Sequence, residues 1–477
     1  MENQIFYLSQ NLALLLILII SLIFVIIGVL YSKNYQNLSN YLTAGRNVQS
    51  LSLTTSLVAS ALGAWILFGP ASAATWGGVG SVIGYALGSA FPMIIFIFLG
   101  TKIRKILPRG NTLTEFVHKK FGKNIFNLIL ILTIFYMFIF LCAEVTAVSM
   151  LINYVSGTPL WLTATLIIIT TLTYTLYGGL RASIFTDSIQ FFIVLILLFI
   201  SFYYLFSLNS NSISFEVVKN NSGHLLSSGY IPNYTAGLTF FIAVAATNLF
   251  HQGNWQRVYA AKNNTVLKKS LFFSFLIIIP VVFFMGFTGL IAASANQNII
   301  PDLAFFSLLL KEEVIMISVI ILILAISLTV SSIDTLINAI SSLIVVDGNK
   351  IINFKGDYLK LSKQIIIFLS IIAFLVSSMG FSILYLFLLA DLFCCAAVLS
   401  IFYSFYTKSL NEKNILVSII IGLAGGLLLF PSPDFSKSLL VGIILPIDFV
   451  PAFISQSLLF SSFIVATFLP IITWKIK

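Results

Sequence analysis

The sequence predicts an all-α polytopic membrane protein with about thirteen transmembrane helices. Of its 477 residues, 59% are hydrophobic and only 8% are charged, and the mean hydropathy is +1.07. Such a composition excludes a soluble globular domain. Apolar segments long enough to cross a bilayer recur along the whole chain, and the basic residues between them favour one side of the membrane.

The thirteen spans follow from the length rule that a spanning helix needs about 20 predominantly apolar residues. The first apolar stretch lacks a basic leader region and a small-residue cleavage pattern, so we expect it to be retained as a span. Polar, Gly-rich and Pro-rich breaks separate segments at approximately 9–31, 51–75, 79–101, 124–152, 159–177, 184–206, 236–256, 269–294, 313–346, 364–379, 382–406, 414–430 and 450–474.

If successive loops are assigned alternately to the two sides of the membrane, the distribution of Lys and Arg tests the number of spans. Of the 25 Lys and Arg residues, only Lys219, Lys311 and Lys437 fall on one side. The positive-inside rule therefore places the amino terminus outside and the carboxyl terminus in the cytoplasm of the plasma (inner) membrane. The net charge of +10 is explained by this topology and by contact with the lipid bilayer, so no nucleic-acid partner is predicted.

The cysteine and histidine residues give no sign of an enzyme. The three cysteines lie inside apolar runs without metal-ligand spacing, and the three histidines form no H-x-x-x-H pair. These patterns predict neither a zinc site nor a disulfide framework. We expect no catalytic residues and no cofactor.

One apolar run carries a stripe of oxygen atoms suited to a sodium ion. Leu328, Ser331, Ser332 and Thr335 follow i, i+3, i+4 and i+7 spacing and so share a helix face. Hydroxyls are poor general bases, and oxygen ligands suit a hard cation such as Na⁺. The alternative is that Ser and Thr serve only close helix packing.

Four carboxylates, Glu144, Asp187, Asp334 and Asp391, fall within predicted spans, and no Lys or Arg is expected at their depths. An ionised carboxylate there costs about 2.5–3.5 kcal/mol on insertion scales, which favours cation handling. Asp187 lies roughly 9 Å beyond Arg181 along a helix, near the cytoplasmic mouth. The alternatives are an ion pair with a nearby basic residue for Asp187 and a protonated packing role for Asp391.

The second span contains signals for a broken helix. Small residues from Ala59 to Gly63 precede Trp65 and the pair Gly69-Pro70. An unwound segment would free carbonyls for Na⁺ where they line a cavity. A simple kink is the alternative. In the next span, Gly80, Gly84 and Gly88 indicate close helix packing.

Four stretches give the chain a resemblance to the sodium:solute symporter family. They are 59–65 (ASALGAW), 174–190 (including Gly178-Gly179 and Asp187), Gln256-Arg257 with Ala260-Ala261, and Ser331-Ser332 with Asp334-Thr335. The resemblance implies a leucine-transporter-like inverted-repeat fold of two five-helix repeats, 51–206 and 236–406. Residues 1–50 would form a peripheral first helix and a cytoplasmic loop, and 407–477 two peripheral carboxyl-terminal helices.

The resemblance also implies ion ligands. Sodium would bind the carbonyls of Ala59, Leu62 and Leu328 and the hydroxyls of Ser331 and Ser332. Asp187, with Asp334 and Thr335 beside it, would serve a second sodium or the exit route. The sodium/proline symporters carry an acidic residue where this chain has Ala61, and the sugar symporters an aromatic pair where it has Thr247 and Asn248.

These observations predict sodium-coupled import of a small organic solute by alternating access. The intramembrane carboxylates favour a nitrogen-containing solute. Proton coupling in the same fold, a solute sensor and a cation channel are the alternatives, although no filter-like repeat or charged ring favours a channel. The candidate solute contacts are Ser60, Trp65, Glu144, Thr247, Asn248, Gln252 and Asp391.

Overall fold

The computed structural model describes residues 6–32, 38–208, 215–296, 299–310, 315–351, 355–407, 411–433, 435, 437–438, 440 and 457–473. This part of the chain is almost entirely helical. Its principal helices are α1 (Gln10–Ser32), α2 (Ser50–Ala61), α3 (Gly69–Ile106), α4 (Lys123–Ser156), α5 (Leu160–Leu208), α6 (Ile231–Phe250), α7 (Gln252–Ala260), α8 (Asn264–Ala295), α9 (Ile315–Ile351), α10 (Tyr358–Ser378), α11 (Ile383–Tyr403), α12 (Glu412–Leu429) and α13 (Leu458–Thr473). Short helices and 3-10 turns lie in the connections.

Within these described ranges, nine helices are long and apolar enough to cross a membrane. Two of them contain a bend at a glycine with positive φ, Gly78 in α3 (φ 63°) and Gly179 in α5 (φ 59°). Glycine tolerates this backbone region, and each bend separates two predicted spans. With the two broken helices and α13, each of the thirteen predicted spans contains a helical segment, and residues 313–314 and 450–456 of two spans lie outside the described residues.

The predicted break in the second span is confirmed. Helix α2 ends at Ala61, and Leu62 (φ −97°, ψ 77°) leaves helical geometry. Gly63 is extended, a 3-10 turn covers Ala64–Leu67, and α3 begins at Gly69 with a proline in its first turn. Proline suits a helix start because its missing N–H would have no partner there.

A second break separates α6 from α7. His251 has an extended backbone (φ −60°, ψ 106°) between the two helices. Nearby side chains supply donors for carbonyls at this helix end: Trp255 Nε1 donates to Leu249 O at 2.7 Å and Asn254 Nδ2 to Asn248 O at 3.1 Å. These bonds replace part of the interrupted helical ladder. The two breaks lie in the first helix of each predicted repeat.

The glycine face in α3 packs against α6, as predicted. A Cβ atom at Gly80 would meet the backbone oxygen of Asn233, and one at Gly84 would meet that of Gly237. The two backbones therefore approach more closely than any larger side chain allows.

Helices differ in how much of their surface other helices cover. The most apolar part of α11 is 83% buried and that of α9 is 72% buried, whereas the corresponding parts of α1, α10 and α12 are 22–28% buried. Helices α9 and α11 thus form the centre of the bundle, and the three others present apolar faces outward.

Candidate functional site

A cavity of about 50 Å³ lies where the two broken helices face α4, α9 and α11. Six of the seven candidate solute residues line it, the exception being Gln252. Its polar lining consists of Ser60, Glu144, Thr247, Asn248, His251, Ser332 and Asp391. No Lys or Arg is among the described residues that line it.

Aromatic rings form much of the remaining wall. Trp65 stacks on Tyr85 with ring centroids 5.6 Å apart, and Tyr85 stacks on Phe240 at 4.7 Å. Phe140 and Phe387, which also line the cavity, meet edge to face at 4.8 Å. Trp65 is fixed further because its Nε1 donates to Ala61 O at 3.1 Å. The rings are therefore held in place by one another, by Phe240 behind them and by the Ala61 carbonyl.

Glu144 caps the second half of the first broken helix. Its Oε2 accepts the backbone N–H of Ala64 at 2.9 Å, and its side chain is buried. The first N–H groups of a helical segment lack internal acceptors, and a negative charge there is favoured by the helix dipole. A Cβ atom at Gly63 would meet Glu144 Oε1, Ser332 Oγ and Trp65 Cδ1. Glu144 thus faces both the break and helix α9.

Asp391 extends from α11 toward α6. Its Oδ1 accepts the hydroxyl of Thr247 at 2.6 Å, and the residue is 3% exposed. Within the described part of the chain, Asp391 forms no ion pair. Thr247 therefore orients the carboxylate without neutralising it.

His251 is a cavity residue that sequence reasoning missed. It stands at the second break and lines the cavity, and its Nδ1 is buried without a hydrogen-bond partner among the described residues. The available signal was its position between Asn248 and Gln252, two predicted solute contacts. The three histidines form no metal-ligand pattern, so residue type alone does not single out this one.

The predicted sodium ligands lie on the first broken helix and on α9. Helix α2 ends at Ala61, and the final carbonyls of a helix have no intrahelical donor. Ser331 and Ser332 are both buried, but their hydroxyls differ. Ser331 donates to Asp187 Oδ1 at 2.5 Å, while Ser332 Oγ has no partner among the described residues. The structure thus places these residues at the end of α2 and on α9, and their role as sodium ligands stays a prediction.

Asp187 has a basic partner, contrary to the expectation from the sequence. Its Oδ2 lies 2.7 Å from Arg257 Nη2, and both side chains are fully buried. Ser56 donates to the same oxygen at 2.6 Å. The predicted alternative of an ion pair is therefore confirmed, but with Arg257 from α7 and not with the nearby Arg181. The expectation that no arginine shares its depth is wrong because α7, whose residues are all buried, carries Arg257 inside the bundle.

The other two residues expected at a second ion site also surround this pair. Thr335 Oγ1 accepts from Arg257 Nη2 at 3.0 Å. Asp334 accepts hydroxyl hydrogens from Tyr174 at 2.7 Å and Ser183 at 2.8 Å. Asp187, Asp334 and Thr335 are therefore grouped as predicted, but a guanidinium lies among them.

Gln252 is corrected as a solute contact. Its Nε2 donates to Asn111 O at 2.9 Å, and its Oε1 accepts the N–H of Leu113 at 3.2 Å. Both polar atoms are used to hold the start of the short helix Leu113–Phe121. The side chain joins α7 to a connecting segment and does not reach the cavity.

A larger cavity of about 470 Å³ lies on the side predicted to be outside. Asp302 lines it and accepts hydroxyl hydrogens from Ser72 at 2.9 Å and Ser382 at 3.3 Å. Burial raises the pKa of Asp302, while the two serine hydrogen bonds oppose this shift. This carboxylate therefore links the outer end of the first broken helix to the start of α11.

The fold and the site define the class of protein. Two broken helices that meet around a central cavity in a helical bundle are typical of membrane transporters with the leucine-transporter fold. Among the described residues, no group of His, Cys, Asp and Glu side chains could hold a metal ion.

Solved structures agree on the fold. A Na⁺-coupled sialic acid symporter aligns over 97% of this chain and 96% of its own with a TM-score of 0.73 at 15% identity. Mhp1, a nucleobase-cation-symport-1 family transporter, aligns over 92% of this chain and 94% of its own with a TM-score of 0.58 at 13% identity.

The chain belongs to the sodium:solute symporter family, whose model matches residues 41–422. It is 26% identical to a spermidine transporter of Candida albicans over 379 residues. This alignment covers 79% of this chain and 71% of the relative. It is 28% identical over 173 residues to sodium/glucose cotransporter 1 of Ovis aries, covering 35% and 25%. For the urea active transporter of Saccharomyces cerevisiae, the identity is 22% over 261 residues, covering 50% and 34%. The family consists of transporters, so the chain is an integral membrane symporter and not an enzyme.

Proposed function

We propose that this protein uses the inward Na⁺ gradient to import a small nitrogen-containing solute by alternating access. The observation that carries the proposal is the central cavity, which contains two carboxylates, Glu144 and Asp391, and no basic side chain among its described lining residues. N–H donors on a solute would satisfy these acceptors and offset the cost of their desolvation. Two relatives carry names of nitrogen-containing solutes, spermidine and urea.

Sodium would bind between the first break and helix α9. The ligands proposed are the carbonyls of Ala59, Leu62 and Leu328 with the hydroxyls of Ser331 and Ser332. The unpartnered Ser332 hydroxyl supports this site, because a buried hydroxyl without a hydrogen bond is costly unless a ligand completes it. The bound ion would hold the break against α9 and stabilise the state that accepts solute.

The Asp187 carboxylate would receive the ion on its way to the cytoplasm. Ser331 links the two places because its hydroxyl, a proposed sodium ligand, donates to Asp187. Asp187 lies in α5 just beyond the Gly179 bend, and the positive-inside topology puts that bend on the cytoplasmic side. The amino terminus would then be outside and the carboxyl terminus in the cytoplasm of the plasma (inner) membrane.

Uptake into proteoliposomes tests the function. We expect uptake of a nitrogen-containing solute when Na⁺ is high outside, and its loss when Na⁺ is replaced by an impermeant cation at fixed pH. Proton coupling is the second candidate, because Asp391 and Asp334 are buried and form no ion pair among the described residues. Uptake driven by a pH gradient without Na⁺ would favour that candidate and contradict the sodium proposal.

A further inference from the structure

We propose that the transported solute is an organic cation, a protonated or quaternary amine, held between the cavity carboxylates and the aromatic wall. This inference rests on the proposed function and names the chemical class of its solute. It excludes neutral amides such as urea, sugars and carboxylates as the principal substrate.

The first argument is the balance of buried charge. Of the four carboxylates within the predicted spans, Asp187 is neutralised by Arg257. Asp334 lies outside the cavity, where four hydroxyl groups donate to it. Glu144 and Asp391 share one small cavity with no described basic residue lining it. When both are ionised, one Na⁺ compensates only one of the two negative charges, so the cavity favours a second cation.

The second argument is the kind of polar atom that faces the solute. Glu144 and Asp391 are acceptors when ionised, and Ser332 Oγ and His251 Nδ1 are buried without partners among the described residues. The amide hydrogens of Asn248 are turned away at least in part, because its Nδ2 donates to Val244 O at 3.0 Å. A solute rich in donors, such as an ammonium group, complements this lining.

The third argument is the aromatic wall. A cation is attracted to the face of an aromatic ring, most strongly to tryptophan and most strongly where water is excluded. Trp65 and Tyr85 both line the cavity, and Tyr85 is stacked between Trp65 and Phe240, so Trp65 is the ring of this pair that has a face outside the stack. Phe140 and Phe387 add two further rings. Four aromatic rings and two carboxylates around one space suit methylated or alkyl-substituted ammonium groups.

Pairs of probes with equal shape and different charge test this inference. Choline and 3,3-dimethylbutan-1-ol form one pair, and 1,4-diaminobutane and butane-1,4-diol the other. We would measure the thermal unfolding midpoint of the full-length protein with each probe, with Na⁺ and with Na⁺ replaced. We expect Na⁺-dependent stabilisation by a cationic member and none from its neutral counterpart.

Substitution of the cavity carboxylate sharpens the test. Asp391→Asn keeps an oxygen to accept from Thr247, so the fold is retained while the charge is lost. We expect the concentration of the cation needed for half-maximal stabilisation to rise at least about tenfold, the difference between a charged and a neutral hydrogen-bond partner. Glu216→Gln, which removes an exposed carboxylate from a connecting helix, should leave that concentration unchanged.

The outcomes separate this inference from the proposed function. Stabilisation by urea, a hexose or a neutral member of a pair at or below the concentration of the cation overturns the cation proposal and leaves the sodium symporter intact. Failure of every cation to stabilise the protein also overturns it. Stabilisation and uptake by a cation without any dependence on Na⁺ would support the solute class and contradict sodium coupling.

Discussion

Adjacent serines on α9 have different contacts, and these contacts match the different roles proposed for them. Ser331 is committed to Asp187 through a hydrogen bond, whereas Ser332 lines the central cavity with an unpartnered hydroxyl among the described residues. The next residue along the helix thus faces the central cavity instead of Asp187, the carboxylate proposed for the exit route.

Ser332→Ala should weaken the activation of transport by Na⁺. Loss of one ligand oxygen from an apolar site removes about 1–3 kcal/mol, so the Na⁺ concentration for half-maximal uptake should rise roughly five- to hundredfold. High Na⁺ should restore part of the rate. Ser327→Ala is the matched control, since Ser327 is a buried serine on the same helix whose hydroxyl also has no described partner. Unchanged Na⁺ dependence in the Ser332 variant would show that the proposed site is misplaced.

The Asp187–Arg257 ion pair predicts a specific pattern in single and double variants. Asp187→Asn leaves a buried guanidinium without its counter-charge, which costs about 3–5 kcal/mol. The yield of folded protein should therefore fall. Asp187→Asn with Arg257→Gln removes both charges and should restore much of that yield.

Turnover per folded molecule distinguishes an ion-handling role from a structural one. If Asp187 receives the ion, the double variant should remain slow because the carboxylate is still missing, with solute affinity nearly unchanged. If the double variant has both a restored yield of folded protein and a normal turnover, the ion pair serves stability alone. Measurement requires uptake rates normalised to the amount of folded protein.

The sequence indicated which residues belong to the site more accurately than it indicated which residues contact one another. The stripe containing Ser331 and Ser332 and the isolated carboxylates could be read from spacing and depth. The pairing of Asp187 with Arg257 could not, because the two lie 70 positions apart on helices whose packing the sequence does not specify. The sequence shows that Gln252 is polar and so predicts a solute contact, but it does not show the bonds of this side chain to the 111–113 segment.

At the scale of elements, the break after Ala61 brings together a helix N-terminus and the residues proposed to bind the ion and the solute. The segment that begins at Ala64 directs its first N–H to Glu144, so the carboxylate takes part in the architecture of the break as well as in the cavity. Small residues with Gly and Pro made this break predictable, since they lower the cost of leaving helical geometry. The extended His251 at the second break is not such a residue, which is why its sequence signal was weaker.

Gly63→Ala should disable the first break without removing any polar group. A Cβ atom there would meet Glu144 Oε1, Ser332 Oγ and Trp65 Cδ1 at once. Overpacking of this kind costs about 1–3 kcal/mol, and here it falls on the ion and solute residues together. We expect Na⁺-dependent uptake to fall roughly five- to hundredfold. Gly223→Ala, where no atom lies within 4 Å of the added carbon, should behave as the wild type. Equal uptake by both variants would contradict a tight fit at the break.

At the scale of the whole molecule, cysteine labelling can test the proposed orientation, because the protein's own cysteines should not react. Cys142, Cys394 and Cys395 are all buried. New cysteines at the exposed positions Gly229 and Lys262 would lie on the outer and inner sides, respectively. An impermeant maleimide added to intact cells should label Gly229→Cys and leave Lys262→Cys unlabelled until the membrane is opened. The reverse pattern would invert the topology.

Coupling between ion and solute sets the last prediction, because Ser332 is both a proposed Na⁺ ligand and a lining residue of the solute cavity. If one state holds both ligands, Na⁺ must tighten solute binding by the same factor by which solute tightens Na⁺ binding. We expect that factor to lie at roughly 5–150, the usual range for coupled sites. Titration of Na⁺ with and without saturating solute, and of solute at low and high Na⁺, measures it twice. Ser332→Ala should move both values toward one, and Ser327→Ala should leave both unchanged. A factor of one in both titrations would contradict coupling between the proposed ion and solute sites.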